Sequence, residues 1–225
     1  RGSSSDDTKC QSIFQTATAS RTFNKMSKIL DFPLSKNEKM QKAIDLLYRG
    51  IADLALAEFT KLIAQGCDEA FSFVGNLYEF GGRNVERDYS KARFYYEQSV
   101  ERVGAVAAYL GLTRIYYYGL GVERDCSKAL EYCMPLSGEA DHPYAHFYMG
   151  RMHMEGCCVD KDIEIAKDFF EKSWKGGYVF GLTYLGIAEQ QSGHKLLGWF
   201  HRIKAGLLAF IVSLKNINDA RIREI

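Results

Sequence analysis

The sequence has 225 residues, enough for one large domain or a short array of repeats, and its 47% hydrophobic and 13% aromatic content excludes a chain that is disordered throughout. Only three prolines are present, so long stretches are free to be helical. With 29 basic and 28 acidic residues the formal net charge is +1, which excludes a global field that attracts nucleic acid or acidic lipid.

Residues 1–35 are predicted to be a flexible N-terminal lead. They begin with RGSSSDDTKC, which is polar and lacks the apolar segment of a secretory signal. We therefore expect a cytoplasmic protein, or a periplasmic or secreted one if a signal peptide has been removed.

A first helical hairpin is predicted between residues 38 and 66. EKMQKAIDLLYRG, residues 38–50, and DLALAEFTKLIAQG, residues 53–66, both have the apolar spacing of a helix. In the second of these helices we expect Asp53 to be the N-cap and Ala57 to be the point of close helix contact.

The segments that follow repeat one another with a period of about 37 residues. Three columns recur at intervals of 37: Val85, Val122 and Val159; Asp88, Asp125 and Asp162; Ala92, Ala129 and Ala166. Small residues recur 36 to 38 residues apart at Gly75, Thr113, Gly150 and Gly186, and turn glycines recur at Gly81, Gly119 and Gly156. Such a period marks an array of stacked supersecondary units.

Each repeat is predicted to be a helix, a turn and a second helix. The small residue lets a neighbouring helix approach the first helix closely, and the turn glycine ends that helix with a positive φ. The aspartate is expected to cap the second helix rather than to act as a catalytic acid. The predicted fold class is all-α, a right-handed α/α solenoid of about five helix-turn-helix repeats of 36–38 residues, over residues 36–206.

Three stretches of the chain resemble Sel-1-like repeats, which are relatives of the tetratricopeptide repeat. They are VGNLYEFGGRNVERDYSKARFYYEQSV, LTRIYYYGLGVERDCSKALEYC and MGRMHMEGCCVDKDIEIAKDFFEKS. The resemblance is strong over residues 67–177 and looser over 38–206. It implies a helical solenoid that binds other proteins, and it departs from the family pattern in the IEIA of the third stretch.

Residues 207–225 are predicted to be a separate capping helix. They follow a further hairpin, GLTYLGIAEQQSG and HKLLGWFHRIKAG, which ends at residue 206. The apolar run from Leu207 to Leu214 is too short for the roughly 20 residues that cross a bilayer. We expect this helix to cover the last repeat. Contact with a membrane surface and self-association are the alternatives, and the oligomeric state is left open.

The six cysteines do not predict a disulfide framework. Cys126 and Cys133 are seven residues apart on one predicted helix, roughly 10 Å along its axis, too far to bridge each other. Reduced thiols are the favoured interpretation.

His146, His153 and Cys157 fall near one helical face and resemble a zinc site. Because both histidines occupy columns that hold aromatic packing residues in the other repeats, we expect no metal and no cofactor.

No catalytic motif is found in the sequence. A nucleophile elbow, a phosphate-binding loop and a dinucleotide fingerprint are all absent, so we predict that the chain is not an enzyme. Nucleic-acid binding is not expected either, because the aromatic residues fall in packing columns. Two alternatives are kept: a membrane-associated accessory protein of a cell-envelope assembly system, and a thiol-dependent hydrolase.

A partner-binding face is predicted by analogy with tetratricopeptide arrays, in which the first helices line the concave side. Arg114 and Arg151 share a column and would present two forked cations to a peptide carboxylate, unless this side is an ordinary solvated helix face. The resemblance thus implies a non-catalytic adaptor or scaffold for a protein or peptide partner. The expected binding residues are Asn76, Glu79, Arg114, Tyr117, Phe147, Arg151 and Met154.

Overall fold

The computed structural model describes residues 38–138 and 141–215, and within them the chain is all-α. The lead predicted for residues 1–35 lies outside the described residues. Consecutive pairs of helices form five helix-turn-helix units in the described part, which confirms the predicted all-α repeat solenoid. The helices are α1 (Glu38–Tyr48), α2 (Ala52–Ala64), α3 (Ala70–Phe80), α4 (Tyr89–Val103), α5 (Val106–Tyr118), α6 (Cys126–Ser137), α7 (Pro143–Glu155), α8 (Ile163–Lys175), α9 (Val179–Gln191) and α10 (Lys195–Lys215).

The chain forms two compact units, one ending at Gly111 and one beginning at Leu112, so their boundary falls within α5. In the first unit the core lies between α1, α2 and α3. Phe59 of α2 and Phe73 of α3 stack with ring centroids 4.7 Å apart and are at most 3% exposed. Burial of each such ring stabilises the fold by about 1.5–3 kcal/mol relative to exposure, which holds the first hairpin to the next helix.

In the second unit α7, α8 and α9 enclose an aromatic core. Phe170 of α8 is fully buried, and its ring centroid lies 6.1 Å from that of Phe147 and 5.5 Å from that of Tyr184. Phe147 and Tyr184 meet edge to face at 5.0 Å. The edge-to-face contact fixes how these side chains pack in the core, because aromatic rings favour only certain orientations of their neighbours.

The three repeated aspartates cap second helices, as predicted. Each has an extended backbone and its side chain accepts a hydrogen bond from the first turn of the helix that follows. The donors are Lys91 N at 2.9 Å for Asp88, Lys128 N at 3.0 Å for Asp125, and Glu164 N and Ile165 N at 2.9 and 3.0 Å for Asp162.

The repeated glycines mark close helix contacts and turns, which confirms their predicted roles. A Cβ atom on Gly75 would lie 2.6 Å from the ring of Tyr96, and one on Gly150 would lie 2.7 Å from the ring of Phe170. The helices therefore pack so closely at these positions that a larger side chain would not fit. The turn glycines Gly81, Gly119 and Gly156 have φ values of 68°, 69° and 74°, which L-residues rarely adopt.

The register predicted for the first hairpin is wrong by two residues. Ile51, not Asp53, occupies the N-cap position of α2, and it makes no side-chain capping bond. Ala55 is fully buried at the helix contact, whereas Ala57 is exposed. Ile51 and Ala55 each lie 37 residues before their equivalents in the next repeat, so the period extends unchanged into this hairpin. The absence of an aspartate at the cap concealed that register.

The predicted boundary at residue 206 is not present in the structure. α10 runs without a break from Lys195 to Lys215, and Gly206 lies inside it. The helical spacing of apolar residues begins at Leu196 and not at Leu207, which explains why one continuous helix forms. The sequence analysis considered only Leu207–Leu214, so its conclusion that the apolar run is too short to span a membrane does not apply to the whole of α10. Among the described residues α10 alone has the length and composition of a membrane span, over Lys195–Leu214, and most of that segment is exposed.

A disulfide joins Cys126, the first residue of α6, to Cys157 in the loop after α7. Their Cα atoms are 5.8 Å apart, within the range that disulfides require. The expectation of reduced thiols is wrong for this pair, because the two cysteines come together only when consecutive repeats stack. Of the other described cysteines, Cys67, Cys133 and Cys158 are free.

Candidate partner-binding site

The residues predicted to bind a partner differ in their access to solvent. Glu79, Arg114, Tyr117 and Phe147 are buried, with 1 to 5% of their surface exposed, while Asn76, Arg151 and Met154 are half-buried. Asn76 and Glu79 belong to the first unit, where the Glu79 carboxylate accepts a 2.6 Å hydrogen bond from the hydroxyl of Tyr96. The other five belong to the second unit.

In the second unit two of these residues, Tyr117 and Phe147, lie around the guanidinium of a third, Arg151. Its carbon lies 4.9 Å from the ring centroid of Tyr117, 5.5 Å from that of Tyr118, 6.0 Å from that of Phe147 and 5.2 Å from that of Tyr184. Rings at these distances attract a cation through their negative faces. We call these five residues, with Glu155 and Arg124, the Arg151 cluster.

Both terminal nitrogens of the Arg151 guanidinium are engaged within the chain, whereas Nε is buried and makes no hydrogen bond. Nη1 donates a 2.7 Å hydrogen bond to the hydroxyl of Tyr118, and Nη2 donates a 2.9 Å bond to the carboxylate of Glu155. Arg151 and Glu155 are four residues apart on α7, the spacing at which helical side chains meet. The side chain of Arg151 is only 15% exposed, so it holds other residues in place rather than presenting a free fork to solvent.

Glu155 is the hub of the hydrogen bonds in the Arg151 cluster. Besides Arg151, its carboxylate accepts a 2.6 Å bond from the hydroxyl of Tyr117 and a 2.7 Å bond from Nη2 of Arg124. Burial raises the pKa of Glu155, but the bonds from Tyr117 and the two arginines outweigh it, so its pKa lies below the ordinary value. Glu155 is therefore ionised and compensates one of the two arginine charges.

The charges of Tyr117 and Arg151 are fixed by the same contacts. Burial, and then the hydrogen bond to Glu155, raise the pKa of Tyr117 far above its usual range, so its hydroxyl stays a donor. Burial lowers the pKa of Arg151, but the neighbouring tyrosines and Glu155 outweigh that effect and raise it above its ordinary value. The cluster thus carries one uncompensated positive charge.

Arg124 is the more accessible cation, although the sequence analysis did not select it. Its Nε donates a 2.9 Å bond to the carbonyl of Tyr117, and Nη2 lies 3.3 Å from the sulfur of Cys157 in the disulfide. Half of its side chain is exposed, and Tyr118 and Glu155 beside it are 38% and 30% exposed. These three residues form the exposed rim of the Arg151 cluster. The signal that could have found Arg124 is the arginine at the same loop position of the preceding repeat, Arg87.

His146, His153 and Cys133, which are candidates for metal or thiol chemistry, do not belong to this cluster, and Cys157 beside Arg124 is in the disulfide. In the described part of the chain no group of three or more histidine, cysteine or acidic side chains is placed to hold a metal ion. His146 and His153 instead stack on the ring of Phe169, with centroids 5.9 and 5.6 Å away. Burial raises the pKa of Cys133 to about 12. Because the thiolate is the nucleophile, nothing here supports the thiol-dependent hydrolase.

The chain matches the family model "Sel1 repeat" at residues 72–102, 105–133 and 143–178. Over 103 residues it is 30% identical to an Arabidopsis thaliana protein named ERAD-associated E3 ubiquitin-protein ligase component HRD3B. That match covers 45% of this chain and 16% of the relative, so the chain corresponds to a small part of that protein.

Two solved structures are similar in fold. A Sel1 repeat protein from Oxalobacter formigenes superposes with a TM-score of 0.59 at 19% identity, over 79% of this chain and 76% of that one. A protective antigen of uropathogenic Escherichia coli that displays an SLR fold gives 0.55 at 19% identity, over 93% and 52%. The three consecutive repeat matches show that the matched part of the chain, within residues 72–178, belongs to the Sel1-like repeat family, and the two solved structures share its fold.

Proposed function

We propose that this chain is a non-catalytic adaptor, which binds a partner protein or peptide on the concave face of its repeats and supports the assembly or regulation of a larger complex. The observation that carries the proposal is the exposed rim of the Arg151 cluster, formed by Tyr118, Arg124 and Glu155. The rim combines the exposed ring of Tyr118 with the half-exposed guanidinium of Arg124, in a cluster whose two arginines outnumber its one carboxylate, and it lies where two consecutive first helices end.

The family supports this class of function. Sel1 repeat proteins are generally protein-interaction scaffolds and typically non-catalytic adaptors. The relative from Arabidopsis is named as a component of an E3 ubiquitin-protein ligase. An adaptor role for this chain is consistent with both.

The rim has the chemistry of an interaction hot spot. Tyrosine and arginine are over-represented among residues that dominate binding energies, and they act best when neighbours hold them in place. Arg151 holds Tyr118, and Glu155 holds Arg124, so both lose little conformational entropy on binding. Nη1 of Arg124 makes no hydrogen bond to the described residues and can donate to a partner carboxylate or carbonyl. We therefore expect an acidic, extended peptide with an apolar side chain as the ligand.

The proposal is tested by selecting ligands from a random peptide library and titrating one selected peptide against variants. We expect Arg124→Ala and Tyr118→Ala each to weaken binding about tenfold, because truncating a hot-spot side chain costs more than 1 kcal/mol. Arg87→Ala is the matched control. Arg87 occupies the same loop position one repeat earlier and donates the same Nε bond, to the carbonyl of Phe80 at 3.0 Å, but it has no Glu155 beside it.

Two results would contradict the proposal. A library that yields no peptide specific for the folded chain would argue against an adaptor of extended peptides. Equal affinity of the wild type and both rim variants would place the binding surface elsewhere. Circular dichroism and thermal melting of each variant must match the wild type before its affinity is interpreted.

A further inference from the structure

α10 carries an apolar stripe that no other described residue covers. The stripe consists of Leu196, Trp199, Ile203, Leu207, Phe210 and Leu214, which follow one another at three- and four-residue intervals and therefore share one face of the helix. Each of them is between 49 and 86% exposed. The stripe is about 27 Å long at 1.5 Å per residue. Continuous apolar surface of this extent marks an interaction site.

The opposite side of α10 is fixed to α9. Gly198 and Ala205 are buried there, and a Cβ atom on Gly198 would lie 2.3 Å from the carbonyl oxygen of Gly186. His201 Nδ1 lies 2.7 Å from the carboxylate of Glu189. Another bond in this interface runs from Arg202 to Gln190 at 3.1 Å. α10 thus presents its stripe outward while the rest of the helix remains part of the repeat array.

The charges of α10 indicate which kind of surface binds the apolar stripe. Residues 195–215 contain four lysines and arginines and no acidic residue. A second copy of this helix would bring like charges together, whereas an anionic surface would attract them. Basic residues combined with tryptophan, phenylalanine and leucine on the apolar side are typical of helices that lie in a membrane interface.

We propose that the apolar stripe of α10 binds the surface of an anionic lipid bilayer, with the helix parallel to the membrane plane. The stripe enters the boundary between headgroups and acyl chains, and the lysines and arginines remain at the headgroups. A membrane-spanning orientation would require α10 to leave α9 and would bury Arg202 and Lys204 near the centre of the bilayer, which is costly. The contact is separate from the proposed adaptor function, since Tyr118, Arg124 and Glu155 lie on other elements.

The test is sedimentation of the 225-residue chain with lipid vesicles. We expect binding to mixed phosphatidylcholine and phosphatidylserine vesicles, weaker binding to phosphatidylcholine alone, and a decrease in high salt. The double variant Leu207→Asp, Phe210→Asp should bind about tenfold more weakly or not at all. The matched control is Leu54→Asp, Phe94→Asp. Both of its residues are 54% exposed and lie off the stripe, against 58 and 60% for the pair in α10.

A second measurement reports the depth of Trp199 in the bilayer and does not use the stripe variant. In a Trp174→Phe chain, which leaves Trp199 as the other of the two tryptophans, lipids brominated near the headgroup should quench fluorescence more strongly than lipids brominated at the acyl terminus. Stronger quenching at the acyl terminus would overturn the parallel orientation. The proposal is also overturned if the wild type binds no vesicles, if both double variants bind equally, or if the stripe variant only converts a dimer to a monomer.

Discussion

The hydroxyl of Tyr117 donates a 2.6 Å hydrogen bond to the carboxylate of Glu155, and so joins the last turns of α5 and α7 in consecutive repeats. Tyr117 is buried and Glu155 lies at the exposed rim, so this bond satisfies a buried hydroxyl with a carboxylate at the surface. Because Glu155 also accepts bonds from Arg124 and Arg151, this one carboxylate fixes the loop before α6 as well as the two helices. The stability of this part of the second unit therefore depends strongly on Glu155.

We expect Glu155→Gln to lower the free energy of unfolding by about 1–3 kcal/mol, because bonds to charged groups are lost and two arginines keep no anionic partner in the cluster. Urea unfolding measures the change. Glu164→Gln is the control, since Glu164 is 71% exposed and its side chain forms one ion pair, with Lys167, so the change should alter stability by less than about 1 kcal/mol. Equal effects of the two variants would show that the cluster adds no more than an exposed ion pair.

The same carboxylate predicts a pH dependence of stability. The folded pKa of Glu155 is lowered, so its contribution is fully present above the unfolded pKa of about 4.3 and is lost as the pH falls through the folded value. The stability difference between wild type and Glu155→Gln should therefore be constant near neutral pH and shrink below about pH 4. Melting at a series of pH values checks this. A difference that stays constant down to acid unfolding would be inconsistent with a lowered pKa.

The repeats were predictable from sequence because packing requirements recur with the period. Ala92 and Asp88 recur since each second helix needs a cap and a close contact at the same places, and both roles depend on nearby residues. The prediction of the register failed where one repeat lacks the residue type that the other repeats share at the same position. Ile51 occupies a cap position without a capping side chain, and the register of the first hairpin was lost with it.

The Arg151 cluster was only partly predictable. The column analysis selected Arg151 and Tyr117, but their partners come from a loop and from the last residues of two helices, which no single-helix pattern brings together. Likewise the Cys126 and Cys157 pair becomes close only through the stacking of two repeats. Interactions that depend on inter-repeat geometry are not encoded in helical periodicity, whereas caps, turns and buried faces are.

The capping aspartates provide a test within one loop. Asp162→Ala removes the acceptor of two backbone N–H groups at the start of α8 and should cost about 1 kcal/mol of folding free energy. Asp160→Ala, two residues earlier in the same loop, makes no capping bond and should change stability by less than about 0.5 kcal/mol. Chemical unfolding of both variants checks the prediction. A larger effect at Asp160 would contradict the assignment of the cap.

Replacing either of two helical glycines by alanine should change the stability of the fold, but in opposite directions. Gly150→Ala places a Cβ atom against the buried ring of Phe170 and should destabilise the fold by about 1–3 kcal/mol. Gly206→Ala, in α10, meets nothing within 4 Å and should stabilise it by about 0.5–1 kcal/mol through the better helix propensity of alanine. Melting temperatures measure both changes. Destabilisation by Gly206→Ala would contradict a continuous α10.

The disulfide between Cys126 and Cys157 should stabilise the chain mainly by restricting its unfolded state. The two cysteines are 31 residues apart, and a loop of that length corresponds to about 3–4 kcal/mol in the chain-entropy model. We expect dithiothreitol to lower the midpoint of urea unfolding of the wild type and to leave a Cys126→Ser, Cys157→Ser variant unchanged. Peptide mapping of the oxidised protein should recover the two cysteines in one linked pair. Because Cys158 is adjacent and exposed, Cys158→Ser is the necessary control. Loss of the reductant effect in Cys158→Ser would show that Cys158, rather than Cys157, forms the bridge.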